Sequence, residues 1–135
     1  MTQLYETTAV NQDGMNGKSY LKDGETYTVS SPLSKAEGTN PEELVGLAMS
    51  TCFNSTIKAI LKEERIESAS KVETTVKLHR ETEEPGYYFT VDVYLGIEGM
   101  NEEKAARYVE KTKKRCPVAK LMPISSTVRF YPTIF

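Results

Sequence analysis

The chain has 135 residues, 39% of them hydrophobic and 27% charged, which suits a single folded domain and excludes the low-hydrophobicity, high-charge composition of disorder. With 17 Lys and Arg against 19 Asp and Glu the net charge is -2, so no basic field exists to hold a nucleic-acid backbone. Two cysteines are too few for a secreted disulfide scaffold, no apolar run approaches the roughly 20 residues that span a bilayer, and the first residues carry no basic-then-apolar signal. A cytoplasmic protein is expected, with no membrane and no nucleic acid among its partners.

Residues 1–35 contain short stretches rich in Thr, Tyr and Val, separated by the turn dipeptides Asp13-Gly14, Asn16-Gly17 and Asp23-Gly24. They predict a strand followed by a hairpin across Asp23-Gly24. Next comes a strong helix start. Asn40 can cap, Pro41 suits the first helical position, and Glu42 and Glu43 favour the positive end of the dipole.

The helix is predicted over 41–64. Leu44, Leu47, Ala48, Cys52, Ile57, Ile60 and Leu61 recur at helical spacing, and Val45, Met49 and Phe53 widen the stripe until most of the middle is apolar. Such a helix must be covered on nearly all sides, at the centre of a fold or at a subunit interface. Gly46, Ala48, Ser50 and Thr51 are small enough to admit a second helix. The triplet Asn54-Ser55-Thr56 matches a glycosylation sequon by chance, because it falls inside this helical pattern.

Alternation over 71–78 and 87–95 predicts a second hairpin, turned by the polar run from Glu81 to Gly86. Asn101-Glu102-Glu103 opens another helix, which gathers Lys111, Lys113, Lys114 and Arg115 near its end, in accord with the dipole, and reaches Cys116. Pro117 interrupts that helix and leaves Cys116 at the start of a new short turn. A last alternating strand is predicted from Ser126 to Tyr131, ending before Pro132. The element order gives an α+β fold in one domain, 1–135.

Few residues can carry chemistry. His79, the one histidine, lies in a predicted strand among charged neighbours and reads as a surface residue. Histidine-dependent hydrolases and zinc sites are thereby disfavoured, and the glycines form no phosphate-cradling loop. No metal or other cofactor is expected. The cysteines by themselves read first as buried small hydrophobes, with reactive thiols as the alternative. Two features favour reactivity: polar Ser50, Thr51, Asn54, Ser55 and Thr56 surround Cys52, and Cys116 stands between Arg115 and a possible helix N-terminus, both of which lower a thiol pKa.

Gly38-Thr39-Asn40-Pro41-Glu42-Glu43-Leu44-Val45-Gly46 leading to Thr51-Cys52-Phe53, with Cys116-Pro117-Val118-Ala119-Lys120 far downstream, resembles the two signature segments of the OsmC/Ohr family of osmotically inducible and organic hydroperoxide resistance proteins. The resemblance spans essentially the whole chain, and its wording is closer to the OsmC branch. It implies antiparallel sheets around a long central helix, in an intertwined homodimer whose sites lie at the subunit interface. It also implies a thiol peroxidase for organic hydroperoxides, with Cys52 as peroxidatic cysteine, Cys116 as resolving cysteine and Glu42 as active-site glutamate. The disulfide formed in turnover would be reset by an external dithiol, in the family typically a lipoylated protein.

Ten residues on one continuous helix place Glu42 about 15 Å from Cys52, so a site using both requires two chains with antiparallel helices about a two-fold axis. The family also places an arginine near the N-terminal hairpin or the loop before the first helix. This sequence has none before Arg65; Gln12 or Pro32 falls at the corresponding place. Lys18, Lys35 and Arg115 are the candidate cationic partners, although the lysines lack the planar fork that grips a carboxylate. Leu47, Met49 and Phe53, with Leu121 and Met122, are candidates either for a pocket favouring alkyl hydroperoxides or for ordinary core packing. A second reading keeps the fold and thiols in a non-catalytic, ligand-binding dimer. A general dithiol exchanger is disfavoured, since no C-x-x-C is present.

Overall fold

The turn chemistry near the N-terminus produces what the dipeptides predict. In the computed structural model, which describes residues 2–122 and 127–135, the chain falls into two compact units, Met1–Leu44 and Val45–Phe135. The first holds β1 (Ala9–Asn11), β2 (Gly17–Leu21) and β3 (Thr26–Val29), paired antiparallel in that order. Asn11 closes the first turn by accepting from the Gly14 N–H at 2.8 Å, with Gly14 at φ 65°, where glycine is needed. The second turn is the expected hairpin across Asp23-Gly24, with Tyr20 opposite Thr26. Beyond β3, Thr39 bridges back to Val29 and delivers the chain to the helix start, where Asn40 Oδ1 accepts from the Glu43 N–H at 2.8 Å.

Helix α1 runs from Pro41 to Glu63, one residue short of its expected end. Arg65 adopts φ 58° just beyond it, and the Ile66 N–H closes the last turn on the Leu61 carbonyl at 2.9 Å. The second unit holds the rest of α1 and a sheet in the order β4-β5-β6. Strands β4 (Ser70–Arg80) and β5 (Tyr87–Ile97) form the expected hairpin, each longer than its alternation suggested, with Arg80 opposite Tyr87 at the turn.

Strand β6 (Val128–Thr133) departs from the all-antiparallel expectation by pairing parallel to β5. The chain leaves β5 at one end and returns through α2 (Glu102–Arg115) and the short α3 (Pro117–Lys120), and a helical crossover of this kind brings a strand back in the same direction. Pro132 lies inside β6, opposite Leu95, rather than ending it. An edge strand tolerates the missing N–H. Ser126, the expected first residue of this strand, lies outside the described residues.

The core forms where Val91, Val93, Leu95 and Ile97 of β5 meet Met49, Phe53, Ile57, Ile60 and Leu61 of α1, all of them buried. Phe53 stacks on Phe130 of β6 with ring centroids 5.2 Å apart. Burying each of these side chains contributes roughly 1.5–3 kcal/mol. Helix α1 lies against β4 at Gly46, where an added Cβ would make ordinary contact with the Thr74 carbonyl oxygen at 3.8 Å. Helix α2 is capped by Asn101, which accepts from the Lys104 N–H at 2.9 Å, and buries Ala105, Tyr108, Val109 and Thr112.

One expectation about α1 needs correction. It is long and apolar enough, by length and composition, to cross a membrane, because its Ala, Gly, Cys, Ser and Thr residues interrupt the apolar run without making it strongly polar. Met49, Phe53, Ile57, Ile60 and Leu61 nevertheless pack in the core of their own chain. Within this chain Leu47, Ala48, Thr51 and Ser55 form an exposed stripe, Leu47 at 64%.

Candidate active site

The crossover that makes β6 parallel also returns Cys116 to α1. Its Sγ lies 3.1 Å from Cys52 Sγ, with the Cys116 thiol donating. Both cysteines are free. A disulfide requires about 2.05 Å, so only about 1 Å of closure separates this pair from a covalent bond.

The two thiols differ in access. Cys52 is half-buried on the wall of an open hollow of about 570 Å³, lined also by Leu47, Ala48, Thr51, Ser55, Thr56 and Pro117. Cys116 is fully buried beneath it. Its backbone is fixed on both sides, the N–H donating to the Thr112 carbonyl at 2.9 Å and the carbonyl accepting from the Lys120 N–H at 3.0 Å. A small organic molecule entering the hollow meets Cys52 first.

Contrary to the expectation of a lowered pKa, the Cys116 thiol is pushed up from its ordinary value of 9.0. Burial is the largest cause, because it penalises the thiolate; the Cys52 sulfur, which accepts the thiol hydrogen bond, adds to it. Backbone N–H groups of Ala119 and Val118, at the start of α3, pull the other way and do not prevail. Arg115 does not help, since its guanidinium grips Glu63 through two bonds of 2.8 and 2.9 Å.

The polar residues around Cys52 are also mostly engaged elsewhere. Ser50 donates to Thr74 Oγ1 at 2.8 Å, Asn54 Oδ1 accepts from Ser70 at 2.7 Å, and Thr56 donates to the Cys52 carbonyl at 2.9 Å. They pin α1 to β4 and relieve a helical carbonyl rather than solvating the thiol. The engagement of Asn54 inside α1 also accords with the sequon being a chance match.

Of the three expected pocket residues, Leu47 lines the hollow, while Met49 and Phe53 are fully buried on the sheet-facing side of α1. The reason is helical phase: Met49, Phe53 and Ile57 share one stripe, and Leu47, Thr51 and Ser55 another. Leu121 is 80% exposed, and Met122 lines a separate hollow with Lys113, Lys114 and Phe130. In the first unit, Glu42 is half-buried in the opening turn of α1, Lys18 donates to Thr28 Oγ1 at 2.8 Å, and Lys35 is exposed. His79 bonds Thr90 Oγ1 at 2.9 Å and stacks on Tyr88, a structural role. Among the described residues no three His, Cys, Asp or Glu side chains gather to hold a metal ion.

Sequence reasoning missed Pro117 as a wall of the hollow and Glu63 as the partner of Arg115. A signal for Glu63 existed: it and Glu64 close α1 at the end where the dipole disfavours anions, which calls for a cation from another element.

Known proteins resemble this chain in sequence and in fold over most of its length. Residues 34–130 match the family described as OsmC-like protein. Organic hydroperoxide resistance protein-like 2 of Staphylococcus epidermidis is 31% identical over 124 residues, 87% of each chain. Among solved structures, a protein from Lactobacillus casei ATCC 334 superposes with a TM-score of 0.91 at 31% identity, covering 99% of this chain and 94% of its own. The organic hydroperoxide resistance protein OsmC of Legionella pneumophila superposes with a TM-score of 0.84 at 25% identity, covering 98% of each.

Proposed function

The chain belongs to the OsmC-like family, and from that premise we propose that it is a thiol peroxidase reducing organic hydroperoxides to alcohols through Cys52 and Cys116. The observation that carries this reading is the pair of free sulfurs 3.1 Å apart, one reached from an open hollow and the other buried behind it.

Cys52 as thiolate attacks the terminal peroxide oxygen. The O–O bond breaks, the alkoxide takes a proton and leaves as an alcohol, and Cys52 becomes a sulfenic acid. Cys116 then attacks the Cys52 sulfur. The S–S bond forms as the S–O bond breaks, and hydroxide leaves as water with the proton given up by Cys116. An external dithiol reduces the disulfide by two exchanges and is itself oxidised to a disulfide; a lipoyl group has the required chemistry. A reducing cytoplasm suits a bond that must form and break in each cycle.

The protein acts as a homodimer in this reading. The exposed stripe of Leu47, Ala48, Thr51 and Ser55 supports it, as does the helix geometry that keeps Glu42 and Cys52 of one chain apart. Leu47 would then present an apolar wall to an alkyl hydroperoxide.

The reading is tested by treating reduced protein with one equivalent of cumene hydroperoxide and weighing it intact. The parent loses two hydrogens, and Cys116→Ser gains one oxygen at Cys52. No mass change within minutes sinks the proposal. Hydrogen peroxide in parallel reads the preference for an alkyl group, and light scattering at micromolar concentration reads the dimer. A second reading, a non-catalytic ligand-binding dimer, is favoured by the missing N-terminal arginine, and an unreactive Cys52 with retained fold would establish it.

A further inference from the structure

The last turn of α1 and the last two turns of α2 are fastened to each other by side chains that take no part in the chemistry above. Arg115 Nη1 and Nη2 donate to the two carboxylate oxygens of Glu63 at 2.9 and 2.8 Å. One turn back along α2, Lys111 Nζ donates to Glu64 Oε2 at 2.9 Å and the Tyr108 hydroxyl to Glu64 Oε1 at 2.7 Å. Tyr108, Lys111 and Arg115 follow one another at spacings of three and four, so one face of α2 supplies all the donors. The bidentate contact stands immediately before Cys116, and its carboxylate belongs to the helix that carries Cys52.

We propose that the Glu63–Arg115 fork is a positioning pair for the resolving step, holding the end of α2 so that Cys116 needs only about 1 Å of closure to capture the oxidised Cys52. The proposal rests on the two-cysteine reading above. Its physical basis is that the fork fixes both distance and orientation, as a single point contact would not. When it is cut, the chain around Cys116 keeps its bond to the Thr112 carbonyl but loses the side-chain tie nearest to it, while those of Lys111 and Tyr108 to Glu64 hold one turn farther back. The two thiols then sample wider separations, and the advantage of a preset intramolecular attack falls. Both partners are largely exposed, so the pair adds little to global stability. A merely structural role would therefore leave the rate of closure unchanged.

The experiment separates oxidation from closure. Reduced Glu63→Gln, Arg115→Gln, the double variant and Glu64→Gln are mixed with one equivalent of cumene hydroperoxide, quenched with an alkylating reagent at set times, and weighed intact. Cys52 of Glu63→Gln is expected to oxidise at the parent rate, while its disulfide forms roughly threefold more slowly, within what a half-exposed ion pair can supply. Arg115→Gln should match it, the double variant should be no slower than either single, and Glu64→Gln, cut one turn farther from Cys116, should be affected less.

A second arm bypasses the peroxide. One equivalent of DTNB makes a mixed disulfide on Cys52, releasing one thionitrobenzoate; Cys116 then attacks the Cys52 sulfur, expels the second, and its rate of appearance measures closure alone. Closure at the parent rate in both Glu63→Gln and Arg115→Gln, or strictly additive slowing in the double variant, overturns the proposal. A parent inert to hydroperoxide whose DTNB arm still responds to Glu63→Gln overturns the peroxidase reading and leaves the positioning role standing.

Discussion

Burial of Cys116 has a kinetic consequence that a pH jump exposes. Attack on Cys52 requires the thiolate, and burial pushes the Cys116 thiol pKa up from its ordinary value because desolvation disfavours the charged form. Burial is the largest cause and persists when Cys52 is blocked as a mixed disulfide, although the contribution of the Cys52 hydrogen bond is then lost. Below its pKa a thiol is ionised in a fraction that rises tenfold per pH unit, so closure should accelerate roughly 100-fold from pH 7 to pH 9 without levelling off. The assay forms the thionitrobenzoate adduct at pH 5, where closure is slow, jumps the sample to the chosen pH, and follows release of the second thionitrobenzoate. A thiol activated by Arg115 and the α3 N-terminus, with a pKa near 7, would gain only about twofold over the same range. A plateau below pH 8 would refute the argument that burial controls this group.

Two further predictions concern the scaffold. Phe53→Ala removes a fully buried ring packed on Phe130 and should cost about 3–5 kcal/mol, read as a lower urea midpoint at unchanged slope; a loss under 1 kcal/mol would place Phe53 outside the core. Gly96→Ala sets a Cβ 2.9 Å from the Phe135 Cα and 3.0 Å from the Ile134 carbonyl oxygen, so the segment after β6 must move, at a cost of about 1–3 kcal/mol. Deleting residues 134–135 should remove most of that cost, and an equal penalty with and without them would show that the clash is not its source.

The legible features were those set within a few residues. Asn40 and Asn101 each cap the helix that their neighbours announce, and the Asp23-Gly24 turn joins the strands it separates. Phase along α1 was harder. The sequence marks Leu47, Met49 and Phe53 alike as apolar, and only the position of the sheet shows that Met49 and Phe53 face the core while Leu47 faces the hollow beside Cys52. Charge was harder still: Arg115 adjoins Cys116 in sequence, yet its guanidinium belongs to Glu63.

Caps, turns and alternation are decided by local free energies, and they are enough to specify an α+β chain with a long apolar helix and a cysteine on or beside each of its two main helices. Its motifs also carried the family. Tertiary structure alone decided that β6 runs parallel to β5, that Cys116 is buried with its pKa raised, and that its sulfur stops 3.1 Å from Cys52. Those outcomes depend on which distant surfaces meet when α1, α2 and the sheet pack together, and burial changes a thiol's acidity only after that packing has excluded water from it.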